Sequence, residues 1–377
     1  MNPINRKPKK FDLFNKNVWA TVFITKFLIL IFGLQSYQIV TDQVVDNFHA
    51  YLEMWNRWDA VNYLKIAQNG YTGHGEDRFL IVFFPLFPAL TSLFQIVLRD
   101  YVISAFFVSG VASLALGLIF RELVRLDYSE KIAQFSVLFL FIFPTSYFLH
   151  IPYTESLFLA LCVGCFLAAR KKRWLLVGIL GGLACLTRIN GLILIFALVF
   201  EIWDEYRETK VFNKKWLFLL LIPSGFGIYL LINYFVAGNP VMFLVHQREH
   251  WFRYFRFPWE GIRETAKKIV YSKPGDAQMH GVQEFLFVLI GFSAIVYGWI
   301  RGLRKSYLAW MLGNWLLFVS TSFVLSVPRY TLVLFPLFIL MSLAAVRNWW
   351  LNVLFTIWSI LFLAIFSMQF VRGWWAF

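Results

Sequence analysis

Charged residues are scarce. Asp, Glu, Lys and Arg make up 15% of the 377 residues, against about a quarter in a soluble domain. Beside a hydrophobic fraction of 59% and an aromatic fraction of 20%, that scarcity excludes an ordinary water-soluble globule and makes the bilayer the chain's main solvent. Acidic residues are scarcer still: 21 Asp and Glu stand against 35 Lys and Arg, a net charge of +14. On a membrane protein such an excess marks topology and anionic headgroups, so no nucleic-acid partner is expected. Cysteine is nearly absent. Cys162, Cys165 and Cys185 all lie in apolar runs, which excludes a disulfide framework or zinc knuckle and leaves Cys162 and Cys165 as small helix-packing residues. The short alternating segments of a β-barrel are missing, as are serine-hydrolase, phosphate-loop and dinucleotide patterns. No internal repeat or low-complexity linker divides the chain. No cleavable signal is expected, because Met1 to Lys16 is polar and basic and the first apolar run is long enough to remain as an anchor.

What is abundant is the apolar run of roughly 20 residues, the length of a helix that crosses a 30 Å hydrocarbon core. Spanning helices are expected from Val18, Val102, Ile132, Tyr153, Trp174, Ile189, Trp216, Val282, Tyr307, Tyr330 and Leu351, about eleven in all. Basic clusters assign the sides: Arg6, Lys7, Lys9 and Lys10; Arg121, Arg125 and Lys131; Arg170, Lys171, Lys172 and Arg173; Lys210, Lys214 and Lys215; Arg301, Arg304 and Lys305. All should be cytoplasmic. That parity leaves Phe79 to Leu98 as a juxtamembrane or re-entrant helix held on the outer side by Pro85 and Pro88. The N-terminus is then inside and the C-terminal RGWWAF outside, and Thr187-Arg188 forms a turn dipping into the membrane from the outer side.

Two long connections, Thr41 to Arg78 and Gly238 to Gly281, both fall outside, where function concentrates. In the first, Trp55 to Tyr71 reads as a short helix with Asp59 as N-cap and Gly70 as its stop. Trp55, Trp58, Tyr63 and Tyr71 would surround this carboxylate, with aromatic faces able to stack on sugar rings or to anchor at the headgroup level. A carboxylate in a partly dry cleft can take the proton from an acceptor hydroxyl. One base suffices if the leaving group is a phosphate, which departs without a proton.

Glu155, in Pro152-Tyr153-Thr154-Glu155-Ser156, stands at an outer helix end, as a functional intramembrane acid or as compensation of the helix dipole. Arg188 and Arg329, at outer ends of apolar helices, either clamp a lipid phosphate or snorkel to the surface. The second loop interleaves Arg248, Arg253, Arg256, Arg263, Lys267, Lys268 and Lys273 with Trp251, Phe252, Tyr254, Phe255, Phe257 and Trp259. It suits either a lipid-phosphate headgroup or a merely interfacial helix. His246-Gln247-Arg248-Glu249-His250 matches the H-x-x-E-H zinc-peptidase pattern, without a clear third ligand. Gly178 to Gly182 reads as close helix packing.

Five motifs, WNRWDAVNYLKIAQNGY, FFPLFPAL, FPTSYFLHIPYTESLFL, LTRINGL and SVPRYTLVLFPLF, resemble in order and spacing the PIG-V type mannosyltransferases, whose eukaryotic members add the second mannose of the GPI anchor. The resemblance spans Trp55 to Phe338. It implies the GT-C superfamily, an all-α polytopic fold that uses polyprenyl-phosphate sugars, with juxtamembrane helices after the first loop. It implies that Asp59 is the family's first-loop aspartate. Superfamily members often carry an adjacent acidic pair; here the pair is Trp58-Asp59, so a metal-bridging site is not expected and no cofactor or divalent metal should be required.

The expected molecule is one GT-C transmembrane domain over 1–377, with the first loop and its juxtamembrane helices at 41–100 and the second loop at 238–281. It should be an inverting glycosyltransferase that moves mannose, the sugar the resemblance implies, from a polyprenyl phosphate to an acceptor hydroxyl. The acceptor is a glycan, lipid or protein. Asp59 is the catalytic candidate; Arg57, Trp58, Tyr63, Glu155, Arg188, Asn190, Arg253, Arg256, Arg329 and Tyr330 are the substrate- and donor-binding candidates. Rival readings are a sugar-lipid transporter or scramblase, a membrane zinc metallopeptidase using His246, Glu249 and His250, and an assembly scaffold. A compact chain with short loops suggests a prokaryotic plasma membrane rather than the endoplasmic reticulum.

Overall fold

Helix caps written into the sequence set the frame of the bundle. Asn15 accepts from the N–H of Val18 to start Lys16–Thr41, and Asp100 accepts from Ile103 N–H at 2.8 Å to start Tyr101–Arg125. Gly70 and Gly238, with φ of 73° and 71°, end Asp59–Asn69 and Ile222–Ala237 in conformations that side chains disfavour. The computed structural model describes residues 11–377; the basic cluster Arg6, Lys7, Lys9 and Lys10 lies outside them. Among the described residues the regular structure is helical, apart from one isolated bridge between Phe255 and Thr321.

Helices begin near all eleven expected points. Five of them are long and apolar enough to cross a membrane: Lys16–Thr41, Tyr101–Arg125, Lys214–Ala237, Pro274–Ile300 and Trp349–Val371. Two bent pairs raise the number to seven if each counts as one span. Helices at five of the other expected points are only 12–17 residues long, interrupted by turns and prolines. By length and apolar composition alone the described residues give five to seven spans, and the other expected crossings fall on these shorter helices.

The segment Phe79 to Leu98 is one of the bent pairs. Glu76–Val82 and Leu86–Leu98 meet at 108° beside Pro85. Ser92 Oγ donates to the Ala67 carbonyl at 2.6 Å, tying this elbow to the first-loop helix. The glycines expected to allow close packing do so: a Cβ on Gly178 would lie 2.4 Å from the Phe218 carbonyl oxygen, and one on Gly225 only 1.8 Å from that of Gly182. The three cysteines are free and buried.

Charge is sorted to two ends. At one end the basic connectors are neutralised in a lattice: Arg121 on Glu130 at 2.7 Å, Arg170 on Asp127 at 2.6 Å, Arg304 on Glu201 at 2.8 Å and Lys171 on Glu122 at 3.3 Å. Helix Glu155–Arg170 runs from that lattice to the opposite end, where the two long loops meet. There Phe79 stacks on His250 at 4.2 Å and Arg253 reaches Tyr330.

Candidate active site

The first-loop helix begins one residue earlier in its capping scheme than expected. Trp58 is the N-cap, at φ 55° with no side-chain cap, and Asp59 is the first helical residue. Asp59 is therefore not a cap. Its carboxylate turns away from the helix end because a stronger partner is available: Arg329 Nη1 donates to Asp59 Oδ2 at 2.6 Å.

Arg329 is buried, and its guanidinium is shared. Nε donates to Glu155 Oε1 at 2.5 Å, and Arg188 Nη1 donates to the same oxygen at 2.5 Å and to Thr154 Oγ1 at 3.2 Å. Glu155 is 0% exposed, and its Oε2 has no hydrogen-bond partner. The result is a chain Asp59–Arg329–Glu155–Arg188 that joins four motifs from different parts of the sequence. Neither arginine snorkels, and Glu155 does more than compensate a dipole. Aromatic rings box the charges: Arg329 lies 4.6 Å from the Tyr153 ring and 4.9 Å from that of Phe148, and Arg188 lies 5.2 Å from Tyr330. Arg253, from the second loop, donates to the Tyr330 hydroxyl at 3.3 Å. Asp59, whose side chain is 34% exposed, is the member of the chain most open to an incoming molecule.

The aromatic wall is smaller than expected. Trp55 is fully buried against Tyr147 and Phe370, and Tyr71 donates to the Phe83 carbonyl at 2.7 Å. Tyr63 is buried edge-on to Phe83, Phe87 and Tyr153; burial, reinforced by the Asp59 charge, pushes its phenol above the ordinary range and keeps it neutral. Only Trp58 is exposed, packed edge-on against Trp375 at 5.3 Å. Arg57 lies beside it; its carbonyl accepts from the Tyr153 hydroxyl at 3.0 Å and its Nε donates to the Met54 carbonyl.

Two expected residues stand apart. Arg256 pairs with Glu260 at 2.8 Å, the residue whose carboxylate accepts from the Phe257 N–H at the start of the surface helix Pro258–Tyr271, instead of joining the charge chain. Asn190 donates to Asn314 at 2.7 Å in the core. His246 and His250 both pack on Phe79, at 5.0 and 4.2 Å, and among the described residues no three His, Cys, Asp or Glu side chains are grouped to hold a metal ion. Thr154, Phe148, Tyr153 and Trp375 were not singled out for binding; the first three lie within the third motif.

A family model described as dolichyl-phosphate-mannose-protein mannosyltransferase matches residues 84–233. GPI mannosyltransferase 2 of Schizosaccharomyces pombe is 28% identical over 145 residues, which is 37% of this chain and 30% of that protein. The chain thus matches under a third of that relative's length. The crystal structure of ArnT from Cupriavidus metallidurans bound to undecaprenyl phosphate superposes with a TM-score of 0.52 at 17% identity, over 88% of this chain and 61% of that one. The chain is an integral membrane protein with the GT-C fold. The likeness to GPI mannosyltransferase 2 agrees with the PIG-V resemblance of the chain's motifs.

Proposed function

We propose that the protein is an inverting glycosyltransferase that moves a sugar, mannose, from a polyprenyl-phosphate donor to an acceptor hydroxyl on the extracytoplasmic face. The observation that carries this reading is the chain Asp59–Arg329–Glu155–Arg188, which sets a half-open carboxylate beside two buried guanidiniums. Family and fold support it: the matched family is described by a dolichyl-phosphate-mannose activity, and the ArnT crystal holds undecaprenyl phosphate.

Asp59 accepts the proton of the acceptor hydroxyl. The oxygen attacks the anomeric carbon from the face opposite the phosphate, and the bond from that carbon to the phosphate oxygen breaks with its electron pair going to the phosphate. Arg329 and Arg188 stabilise the negative charge that develops there, with Arg253 and Tyr330 at the second-loop side. Inversion turns a β-linked donor into an α-mannoside. Three guanidiniums supply the positive charge that a divalent ion provides in other sites, so no metal is required. Arg329 is paired with Asp59. A donor phosphate competing for Arg329 releases Asp59 as a base, which couples donor arrival to activation. Trp58, with Trp375 behind it, offers an aromatic face to the acceptor.

The test is transfer of radiolabelled mannose from synthetic polyprenyl-phosphate mannose by purified protein in detergent, with Asp59→Asn as control and a chelator in parallel. Chelator-resistant transfer that disappears in the variant supports the reading. Undiminished transfer in folded Asp59→Asn removes Asp59 from the role of base.

A further inference from the structure

Arg329 and Tyr330 sit on a single turn, Val327–Tyr330, preceded by Ser326 at φ 65°, in the left-handed region. A non-glycine residue there needs support from its surroundings. The carbonyl side of the turn is held by two threonines: Thr331 Oγ1 donates to the Val327 carbonyl at 2.7 Å and Thr145 Oγ1 to the Pro328 carbonyl at 2.9 Å. The amide side is held by one carboxylate. Glu284 Oε1 accepts from Ser326 N–H at 2.6 Å and Oε2 from Val327 N–H at 2.7 Å.

Glu284 is 0% exposed, lies within the membrane-spanning helix Pro274–Ile300, and has no cation within ion-pairing distance among the described residues. An ionisable side chain at membrane depth is costly and marks a task. Its hydrogen bonds go to these two amides and not to Asp59, Arg329, Glu155 or Arg188, while the charges of Arg253 and Lys268 act on it from farther off. Its helix also ties it to the second loop. The π-turn Gln278–Gln283 directly precedes Glu284, and a Cβ on Gly281 would lie 2.9 Å from Ile269 of the surface helix Pro258–Tyr271. Thr265 of that same helix accepts from the Val324 N–H at 3.2 Å.

Resting on the glycosyl-transfer reading, we propose that Glu284 is a positioning residue: its two oxygens hold the Ser326–Val327 amides so that Arg329 reaches Asp59 and Glu155 together. A carboxylate is required because both partners are donors. An amide in its place offers one oxygen and sets its NH2 against the remaining N–H.

The experiment compares Glu284→Gln with wild type by amide hydrogen exchange and by kcat/KM for transfer, each also in an Arg329→Lys background. Exchange should rise in the segment 324–331 and stay unchanged elsewhere, and kcat/KM should fall about tenfold in the wild-type background but by less than about twofold in Arg329→Lys. Unchanged exchange in that segment, or an equal kinetic loss in both backgrounds, overturns the proposal. Glu284→Asp, which keeps both acceptor oxygens, goes through the same cycle in case the glutamine variant fails to fold. If wild type transfers from no donor, the glycosyl-transfer reading falls, and exchange alone decides whether Glu284 anchors the turn.

Discussion

Arg329 Nη1 donates to Asp59 Oδ2 at 2.6 Å across 270 residues of sequence. This contact joins the first loop to the last motif, and most expected consequences of mutation run through it.

Asp59→Asn keeps the shape of the side chain and removes its ability to take a proton. Transfer should fall on the order of 100-fold or more with helicity and thermal stability retained. Radiolabel transfer and a melting curve on the same preparation check both halves.

Arg329→Lys substitutes a point charge for a fork. A lysine cannot reach Asp59 and Glu155 in the present geometry at once, so kcat should drop on the order of 100-fold. A lysine variant with wild-type kcat would show that bridging is not needed.

Glu155→Gln leaves Arg188 and Arg329 close together without their shared carboxylate. Removing one partner from a buried pair costs about 3–5 kcal/mol, so the variant should melt well below wild type. It should also bind polyprenyl phosphate at least as well, because both arginines become free for an anion. Thermal unfolding with and without added lipid phosphate separates the two effects.

Tyr330→Phe and Arg253→Ala each break the 3.3 Å hydrogen bond between the second loop and the site. Each should raise the donor KM about tenfold or more, as the loss of a charge-assisted hydrogen bond of about 1.5–3 kcal/mol would, and the double variant should be no worse than either single one. Additive losses would mean that the two residues act separately.

The double change His246→Ala and His250→Ala should leave transfer within about twofold of wild type, because both rings pack on Phe79 away from the charge chain. Stoichiometric zinc in purified protein, lost together with activity in this variant, would instead favour the metallopeptidase reading.

Glu155, Arg188 and Arg329 were legible in the sequence because ionisable residues at the ends of apolar helices are costly, and Asp59 because aromatic residues surround it in the first loop. Their pairing was not, since nothing local indicates that residue 59 meets residue 329. For the same reason Asp59 looked like a helix cap: its immediate neighbours offered only backbone amides. Trp55 and Tyr71 looked like parts of a binding wall because interface aromatics and core aromatics share a composition, and only packing separates them. Arg256 fell in a basic run whose members diverge once Pro258–Tyr271 forms. Glu284 sits at the head of an apolar run without a motif, and its role depends on a turn about forty residues away. Span number is harder to read, because turns and prolines shorten helices without changing hydropathy.

Helix Glu155–Arg170 has 16 residues between the charge chain and the basic lattice, a rise of about 24 Å. The hydrocarbon slab is about 30 Å thick. With Arg170 held by Asp127 at its far end, this strut sets the two charge clusters closer together than such a slab is thick. Laid across such a slab, the helix would leave the Asp59–Arg329–Glu155–Arg188 chain below one of its two surfaces, near the depth of a lipid's first phosphate. On the glycosyl-transfer reading, a prenyl-linked sugar would then arrive by sideways diffusion in its own leaflet with its tail still dissolved, and the acceptor hydroxyl would have to come to that depth to meet it.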